Sequence, residues 1–378
     1  MNALRTMTRA SAMAPLRLRA ARAVATSPVV KRLFLDRHLD FWLGELDPAW
    51  SLVGLRARVE EVIAETPDVK TFVLAPSAAW PGHRAGQYLP VDVEIDGVHV
   101  RRCYSISSAS SAPGESRLTI TVKRVPGGRV SSFLHDHVRP GFVMGLGVPA
   151  GDFVLGAHAP GRLLLFSGGS GATPVMSLLR ELSARDEVGD VVFLHAARSA
   201  ADVIFRDELL ALEARHPGLR VIFRLDDDPA AGGPLDEAGV RALVPDFAGR
   251  DTFLCGPPGM MSAVERIWAG VGALGRLRSE RFVAARPVAA VAGGAPVSLR
   301  LSRSGRSVVA GAGTVLEQLE GAGERPAYGC RMGICQTCRC LKRSGTVEDL
   351  TTGALSSEPD EEIRLCVSVA RSDLDLAL

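Results

Sequence analysis

No stretch of the 378-residue sequence approaches the roughly 18 unbroken apolar residues that a membrane-spanning helix needs, and no segment repeats internally. The formal net charge is only +2, so there is no overall basic field to draw phosphates, which argues against a dedicated nucleic-acid binder. No Ser/His/Asp set or paired-carboxylate site can be assembled, which leaves hydrolytic chemistry without support. Acidic residues are missing from positions 1–35, where Arg5, Arg9, Arg17, Arg19, Arg22, Lys31 and Arg32 stand among many Ala and Ser. That composition suits a transit peptide, a basic arm for an anionic membrane surface, or an ordinary frayed terminus; the residues leave all three open. Cysteine is sparse except in "YGCRMGICQTCRC", residues 328 to 340, which holds four of the seven. Cysteines so close cannot all reach bridging geometry, and nothing upstream resembles a secretion signal, so a metal or cluster site is expected in place of disulfides.

What is present describes a well-buried globular protein: 47% of residues are apolar and 23% charged. The length suggests two or three domains. From Ser51 to Phe153 short, partly alternating apolar segments ("RARVEEVI", "KTFVLAP", "QYLPVDVEI", "RLTITVKRV") are separated by Pro81-Gly82, Asp96-Gly97 and Pro126-Gly127-Gly128. This rhythm predicts an antiparallel barrel or sandwich. After Pro160-Gly161, continuous apolar strands such as "RLLLFSGG" and "DVVFLHAARS" alternate with helical stretches such as "TPVMSLLREL". That alternation predicts an α/β unit with a parallel sheet covered on both faces. A linker, "AARPVAAVAGGAP", precedes a third unit with a hairpin, a glycine-ended helix and the cysteine loop. The expected divisions are an N-terminal extension (1–49), barrel (50–158), α/β domain (159–285), linker (286–296) and cysteine-loop domain (297–378). Residues 29 to 43 are rich in large apolar side chains without a clean stripe, as in a helix docked on the body or on a partner.

The spacing Cys330-x4-Cys335-x2-Cys338, with Cys366 following after 27 residues, matches the plant-type [2Fe-2S] arrangement. Gly329 and Gly333 suit a loop that must turn its amides toward sulfur. A structural zinc site is disfavoured, because four-cysteine zinc sites prefer two C-x2-C elements and this unit has one. Cys340 is left as a packed free thiol.

A one-electron cluster beside a nucleotide domain calls for a group that splits an electron pair, and a flavin commonly does so. "RRCYSISS" is the candidate: Arg102 can neutralise a phosphate, Tyr104 can lie along the isoalloxazine ring and Ser105 can hydrogen-bond its polar edge. "GGSGATP" follows a strand and opens a helix, so Gly169 and Gly171 can bring backbone amides close to a pyrophosphate. It lacks the G-x-G-x-x-G spacing of the Rossmann fold. Arg198, Ser199 and Arg206 follow the second parallel strand and suit a 2'-phosphate, hence NADPH over NADH, although Asp202 stands among them. His135 and His137 in "LHDHV" are expected at a helix start, on the surface.

In this order the motifs resemble the ferredoxin-NADP reductase superfamily over residues 51 to 378. Its R-x-Y-S is met by Arg102, Tyr104 and Ser105, and its second flavin loop by Gly128, Val130 and Ser131 in "GGRVSSFLHD". The resemblance implies that Thr173 and Pro174 sit near nicotinamide and flavin. In "CGPPGMM" it implies that Cys255 lies beside the hydride-donating carbon while Gly256 and Pro257 shape the floor, and in "SERF" that Glu280 and Phe282 meet the outer face of the flavin. Tyr104, Thr173, Cys255 and Glu280 are thus the candidate catalytic residues. The "GGRVSSFLHD" loop resembles the FAD branch more than the FMN branch.

The implied function is an NAD(P)H-dependent oxidoreductase that passes electrons through FAD and a [2Fe-2S] cluster to an acceptor protein, at a potential on the order of −400 mV. The resemblance is greatest to bacterial reductases serving membrane fatty acyl desaturases. Reductases of ring-hydroxylating oxygenases and alkane hydroxylases share the architecture. A flavin reductase of small molecules such as quinones, with a docking or redox-sensing ferredoxin domain, is the competing class. A cytoplasmic location is expected, with peripheral contact at the inner face of the membrane through the basic arm.

Overall fold

The protein is described here by a computed structural model covering residues 54–115, 117–228, 235–282, 297–311, 313–329, 333, 336–351 and 353–378. The expected N-terminal extension, the linker and two of the expected ligands, Cys330 and Cys335, lie outside the described residues.

The first unit is built from β1 (Leu55–Thr66), β2 (Val69–Pro76), β3 (Tyr88–Ile95), β4 (Val98–Ser105), β5 (Leu118–Lys123), helix α1 (Arg129–His137) and β6 (Val143–Leu146). Its six strands pair antiparallel in the order β4-β3-β6-β1-β2-β5. Alternation decides which side chains enter the core: Phe72, Leu74, Ile120 and Val122 point into one cluster with Leu89, Val91, Leu134 and Met144. Thr71, Thr119 and Thr121, at the intervening positions of β2 and β5, lie on the opposite face. Asp96 and Gly97, both with positive φ (53° and 72°), turn the chain from β3 into β4, as the Asp-Gly signal predicts. Helix α1 departs from expectation in one respect. His135 and His137 fall in its last turn, not its start, and His135 is buried, its Nε2 2.9 Å from the Val122 carbonyl oxygen. The open carbonyl of the strand is satisfied by an imidazole, which is why this histidine is not on the surface.

The second unit comprises β7 (Leu163–Gly168), α2 (Ala172–Ala184), β8 (Val191–Ala197), α3 (Arg206–Arg215), β9 (Leu219–Leu225), α4 (Glu237–Leu243), β10 (Asp251–Cys255), α5 (Pro258–Gly270) and β11 (Leu277–Glu280). The strands are parallel in the order β11-β10-β7-β8-β9. Every residue of β7 is buried, as a central parallel strand with helices on both faces requires. One face packs on α2 and α3 through Phe193 and Leu178, the other on α4 and α5 through Phe166 and Trp268. Strand order reverses between β7 and β10. In open α/β sheets the crevice at the carboxyl ends of such a pair is where ligands bind.

The third unit contains β12 (Val297–Leu301), β13 (Arg306–Ala310), α6 (Val315–Gly321), β14 (Arg339–Ser344), β15 (Val347–Asp349), β16 (Leu355–Ser356), β17 (Glu361–Arg364), β18 (Ser368–Ala370) and β19 (Leu374–Leu376). A mixed five-stranded sheet, β13-β12-β19-β14-β17, buries Leu299, Leu301, Ile363 and Leu376 against Leu316 and Leu319 of α6. A reciprocal cap starts that helix: Thr314 Oγ1 accepts from the Glu317 amide at 3.3 Å, and the Glu317 carboxylate accepts from the Thr314 amide at 2.9 Å.

The barrel and the α/β unit are joined by polar bonds from α2. The Ser177 hydroxyl accepts from the Gly86 amide (3.0 Å) and donates to the Ser108 carbonyl (2.5 Å); the Glu181 carboxylate accepts from the Ser110 amide (2.7 Å). Arg180 donates to the Ser107 carbonyl at 2.6 Å and forks onto Glu208. The turn that follows Tyr104 and Ser105 is therefore held by the helix that follows β7. Among the described residues no helix is long and apolar enough to cross a membrane.

Candidate flavin, nicotinamide and cluster sites

At the junction of the first two units lies a cavity of about 300 Å³. Its walls include Tyr88, Tyr104 and Ser105 from the barrel, Ser170 from the turn after β7, Thr173 from the start of α2, and Glu280 and Phe282 from the end of β11. Five sequence-assigned residues, Tyr104, Ser105, Thr173, Glu280 and Phe282, are thus brought together from three distant segments. Cys103, Thr121, Lys123, Val125 and Arg281 complete the lining.

Cys255 is fully buried at the end of β10, behind this lining, and faces Glu280 in register on β11. Burial raises its thiol pKa well above the ordinary value, with the Glu280 charge adding to the effect. The Glu280 carboxyl is pushed up to about 8, by burial first and by Asp152 second, so it holds a proton at neutral pH. Burial also raises the Tyr104 phenol, which keeps the ring neutral. Gly171 sits where β7 gives way to α2 because nothing larger fits: a Cβ there would lie 2.1 Å from the Cys255 carbonyl oxygen. Gly256 and Pro257 follow β10, and Met260 packs over Gly168 and Gly256. Pro174 is buried in the first turn of α2.

The remaining assigned residues lie elsewhere. Gly128 caps α1, with Val130 and Ser131 buried behind it, and the Ser131 hydroxyl accepts from the Val125 amide at 3.2 Å. They shape the turn that carries Val125 and do not line the cavity. Arg102 is not among the residues that line it: Nη1 donates to the Arg101 carbonyl and, at 2.8 Å, to the Gly329 carbonyl of the third unit. A second groove, of about 480 Å³, shares Lys123 and Val125 with the cavity and is also lined by Asp68, Arg124 and Arg198. Asp202 engages both Arg198 (2.5 Å) and Ser199 (2.8 Å), and Arg206 lies beside Asp207 at 3.5 Å. The Asp202 carboxyl is accordingly held below its usual range by the Ser199 hydroxyl and Arg198.

Sequence reasoning missed Ser167 and His195, which continue the in-register row from Glu280 and Cys255 across β7 and β8. The Ser167 hydroxyl and His195 Nδ1 are 2.8 Å apart, and burial, with Lys123 adding, pushes the imidazole down to about 4. Both occupy apolar runs, where a polar residue gives no local signal.

The cavity fits the polar edge of a flavin ring. Ser105 Oγ and Glu280 Oε2 are both buried without a hydrogen-bond partner, a cost that a bound polar group would remove. In the third unit Cys338 and Cys366 are buried with their Sγ atoms 3.1 Å apart, and the Gly333 amide donates to Cys366 Sγ at 3.2 Å. Gly333 has φ of 74° and carries the amide into that position. Two adjacent thiols with a backbone amide aimed at sulfur fit the donor set of an iron-sulfur cluster. Cys340, two residues on, turns into the hydrophobic core with Leu299 and Ile363.

Comparisons with known proteins agree with this architecture. The sequence matches the Oxidoreductase FAD-binding domain family over residues 56–155. It matches the Oxidoreductase NAD-binding domain over 165–266 and the 2Fe-2S iron-sulfur cluster binding domain over 299–371. The chain belongs to the ferredoxin-NADP reductase family of FAD- and NAD(P)H-binding oxidoreductases, in the branch that carries a [2Fe-2S] domain. It is 41% identical to an NADPH oxidoreductase of Mycobacterium tuberculosis, the match covering 88% of this chain and 87% of that one. It is 35% identical to the glycine betaine monooxygenase reductase subunit of Pseudomonas aeruginosa, covering 84% and 93%. Among solved structures, phthalate dioxygenase reductase is similar with a TM-score of 0.58 and 28% identity, covering 86% of this chain and 98% of that one.

Proposed function

We propose that this enzyme is the reductase component of an oxygen-activating system, taking electrons from NADPH and delivering them singly to a partner protein. The observation that carries this reading is the placement of two contacts on one strand. Tyr104 of β4 lines the cavity, and Arg102 of the same strand donates to the carbonyl of Gly329, next to Cys330. FAD, when bound, supplies the change from paired to single electrons. Tyr104 and Ser105 hold its ring, Thr173 and Cys255 frame the nicotinamide, and Glu280 and Phe282 meet the outer face of the flavin. Gly128, Val130 and Ser131 shape the turn for the adenylate half, Gly169 and Gly171 admit the pyrophosphate, and Arg198, Ser199 and Arg206 receive the 2'-phosphate. Cys330, Cys335, Cys338 and Cys366 hold the cluster.

The relatives named for glycine betaine monooxygenase and phthalate dioxygenase support an oxygenase as the acceptor. The membrane fatty acyl desaturase expected from the sequence is a second reading, favoured by the seven cations and absent acids of residues 1–35. Replacing Cys366 with Ser tests the internal path. NADPH-dependent cytochrome c reduction is expected to be lost while ferricyanide reduction persists, and retained cytochrome c reduction would defeat the reading. Vesicle sedimentation separates the acceptors: if deletion of residues 1–45 leaves binding to anionic vesicles unchanged, the membrane reading fails.

A further inference from the structure

The wall of the cavity continues into a line of hydroxyl groups that leads out of it. Thr121 lines the cavity and is 2.8 Å from the hydroxyl of Thr71, its register partner on β2. Thr71 donates to Glu65 Oε1 at 2.6 Å. On its other side Thr121 is 2.9 Å from Ser107, which is 2.8 Å from Thr119. Thr71, Thr121 and Ser107 are buried, whereas Glu65, near the end of β1, is half-buried and reaches solvent.

A hydroxyl has one proton to donate, so the carboxylate orients the whole line. The proton of Thr71 goes to Glu65; Thr71 must then accept from Thr121, Thr121 from Ser107, and Ser107 from Thr119. Thr121 keeps one lone pair uncommitted. Its placement in the cavity wall lets it accept a proton there while it passes its own to Thr71, and Thr71 its own to Glu65. The charged groups that act on Glu65 are Arg180 of α2 and Glu208 of α3, with opposite signs. Burial outweighs the other influences and raises the Glu65 carboxyl above the usual range, which suits a group that must take up and release protons.

We propose that Thr121, Thr71 and Glu65 form the exit path for the proton left behind in each turnover. The proposal rests on the electron-transfer reading above, and its balance is simple. NADPH becomes NADP+ by giving up two electrons and one proton as hydride. The electrons depart one at a time through the cluster, so one proton per NADPH must leave the cavity separately. Among the polar groups of the lining, Ser105 Oγ and Glu280 Oε2 have no onward hydrogen-bond partner. Glu280 can store a proton but has no described route for passing it on from that oxygen, whereas Thr121 begins a route of two further steps to the partly exposed residue Glu65.

The test uses the full-length holoenzyme in stopped flow, with NADPH, excess cytochrome c and a pH-indicator dye. The variants are Thr71→Val, which keeps the branched shape without the hydroxyl, Thr71→Ser, which restores it, and Glu65→Gln. FAD content and flavin bleaching by NADPH are expected to stay within about twofold of wild type in all three. Proton appearance in T71V and E65Q is expected to slow by about tenfold or more. Added imidazole should restore the rate in both, and T71S should match wild type. Unchanged proton release in both T71V and E65Q, with FAD retained, overturns the path. Slowed release in T71S equal to that in T71V also overturns it, since packing would then be the cause. Wild-type protein that holds FAD but shows no bleaching by NADPH would overturn the electron-transfer reading itself, and the path with it.

Discussion

Glu280 and Cys255 stand opposite each other in register on neighbouring parallel strands, β11 and β10, and a charge on Glu280 adds to the burial that disfavours the Cys255 thiolate. The folded-state pKa of Glu280 is about 8, against an ordinary 4.5, so the native protein prefers the protonated acid. The stability this gives is fully present below the unfolded value and is lost as pH rises through about 8. Thermal unfolding of flavin-free protein between pH 5 and 9 should show a falling Tm in wild type and a flatter profile in Glu280→Gln. Identical profiles would contradict the assignment of the buried proton to Glu280.

Cys338 and Cys340 should behave differently despite their spacing. Replacing Cys338 with Ser is expected to abolish iron retention, because its sulfur faces that of Cys366. Replacing Cys340 with Ala removes a core contact and a weak thiol hydrogen bond to the Leu341 carbonyl, and should cost about 1–2 kcal/mol while leaving the iron content unchanged. Iron analysis and the visible spectrum of anaerobically purified protein distinguish the two.

Lys342 is fully buried, donates to the carbonyls of Gly345, Ser356 and Glu358, and lies 3.2 Å from Glu361. Lys342→Met would leave three carbonyls and a carboxylate without their cation, at a cost of about 3–5 kcal/mol. Urea unfolding followed through the cluster absorbance should show an earlier transition, with the flavin signal unaffected.

Nicotinamide preference should depend on Arg198. Its guanidinium is held by Asp202 beside the groove that also contains Lys123 and Arg124. Arg198→Ala is expected to raise KM for NADPH about tenfold with little change for NADH, since only NADPH carries the 2'-phosphate that the guanidinium would bond. Equal effects on both cofactors would place the phosphate elsewhere.

Much of this arrangement was legible in the sequence where local chemistry forces local structure. Asp96-Gly97 announced a hairpin, the unbroken apolar run of β7 a central parallel strand, and the cysteine spacing a cluster loop. What escaped notice depends on tertiary neighbours. β11 is four residues long and exposed in part, so "LRSE" carries no strand pattern until it pairs with β10. His135 reads as a surface histidine until the Val122 carbonyl is seen beside it. Thr71, Thr119 and Thr121 are residues any strand favours. Only the register of β2 on β5, with Ser107 and Glu65 folded against them, turns them into a connected line. Arg102, matched to a phosphate by its motif, also makes a hydrogen bond across a domain boundary, a contact that no local pattern could have placed.

That last bond bears on how the protein can diversify. Electron tunnelling weakens exponentially with separation, so the spacing between flavin side and cluster loop must be conserved whatever the acceptor. Arg102 grips the third unit by the main-chain oxygen of Gly329, a group every amino acid carries. Side chains around the cluster can therefore be exchanged to suit a new acceptor while the internal gap stays constant, so that partner choice and internal conduction can evolve independently.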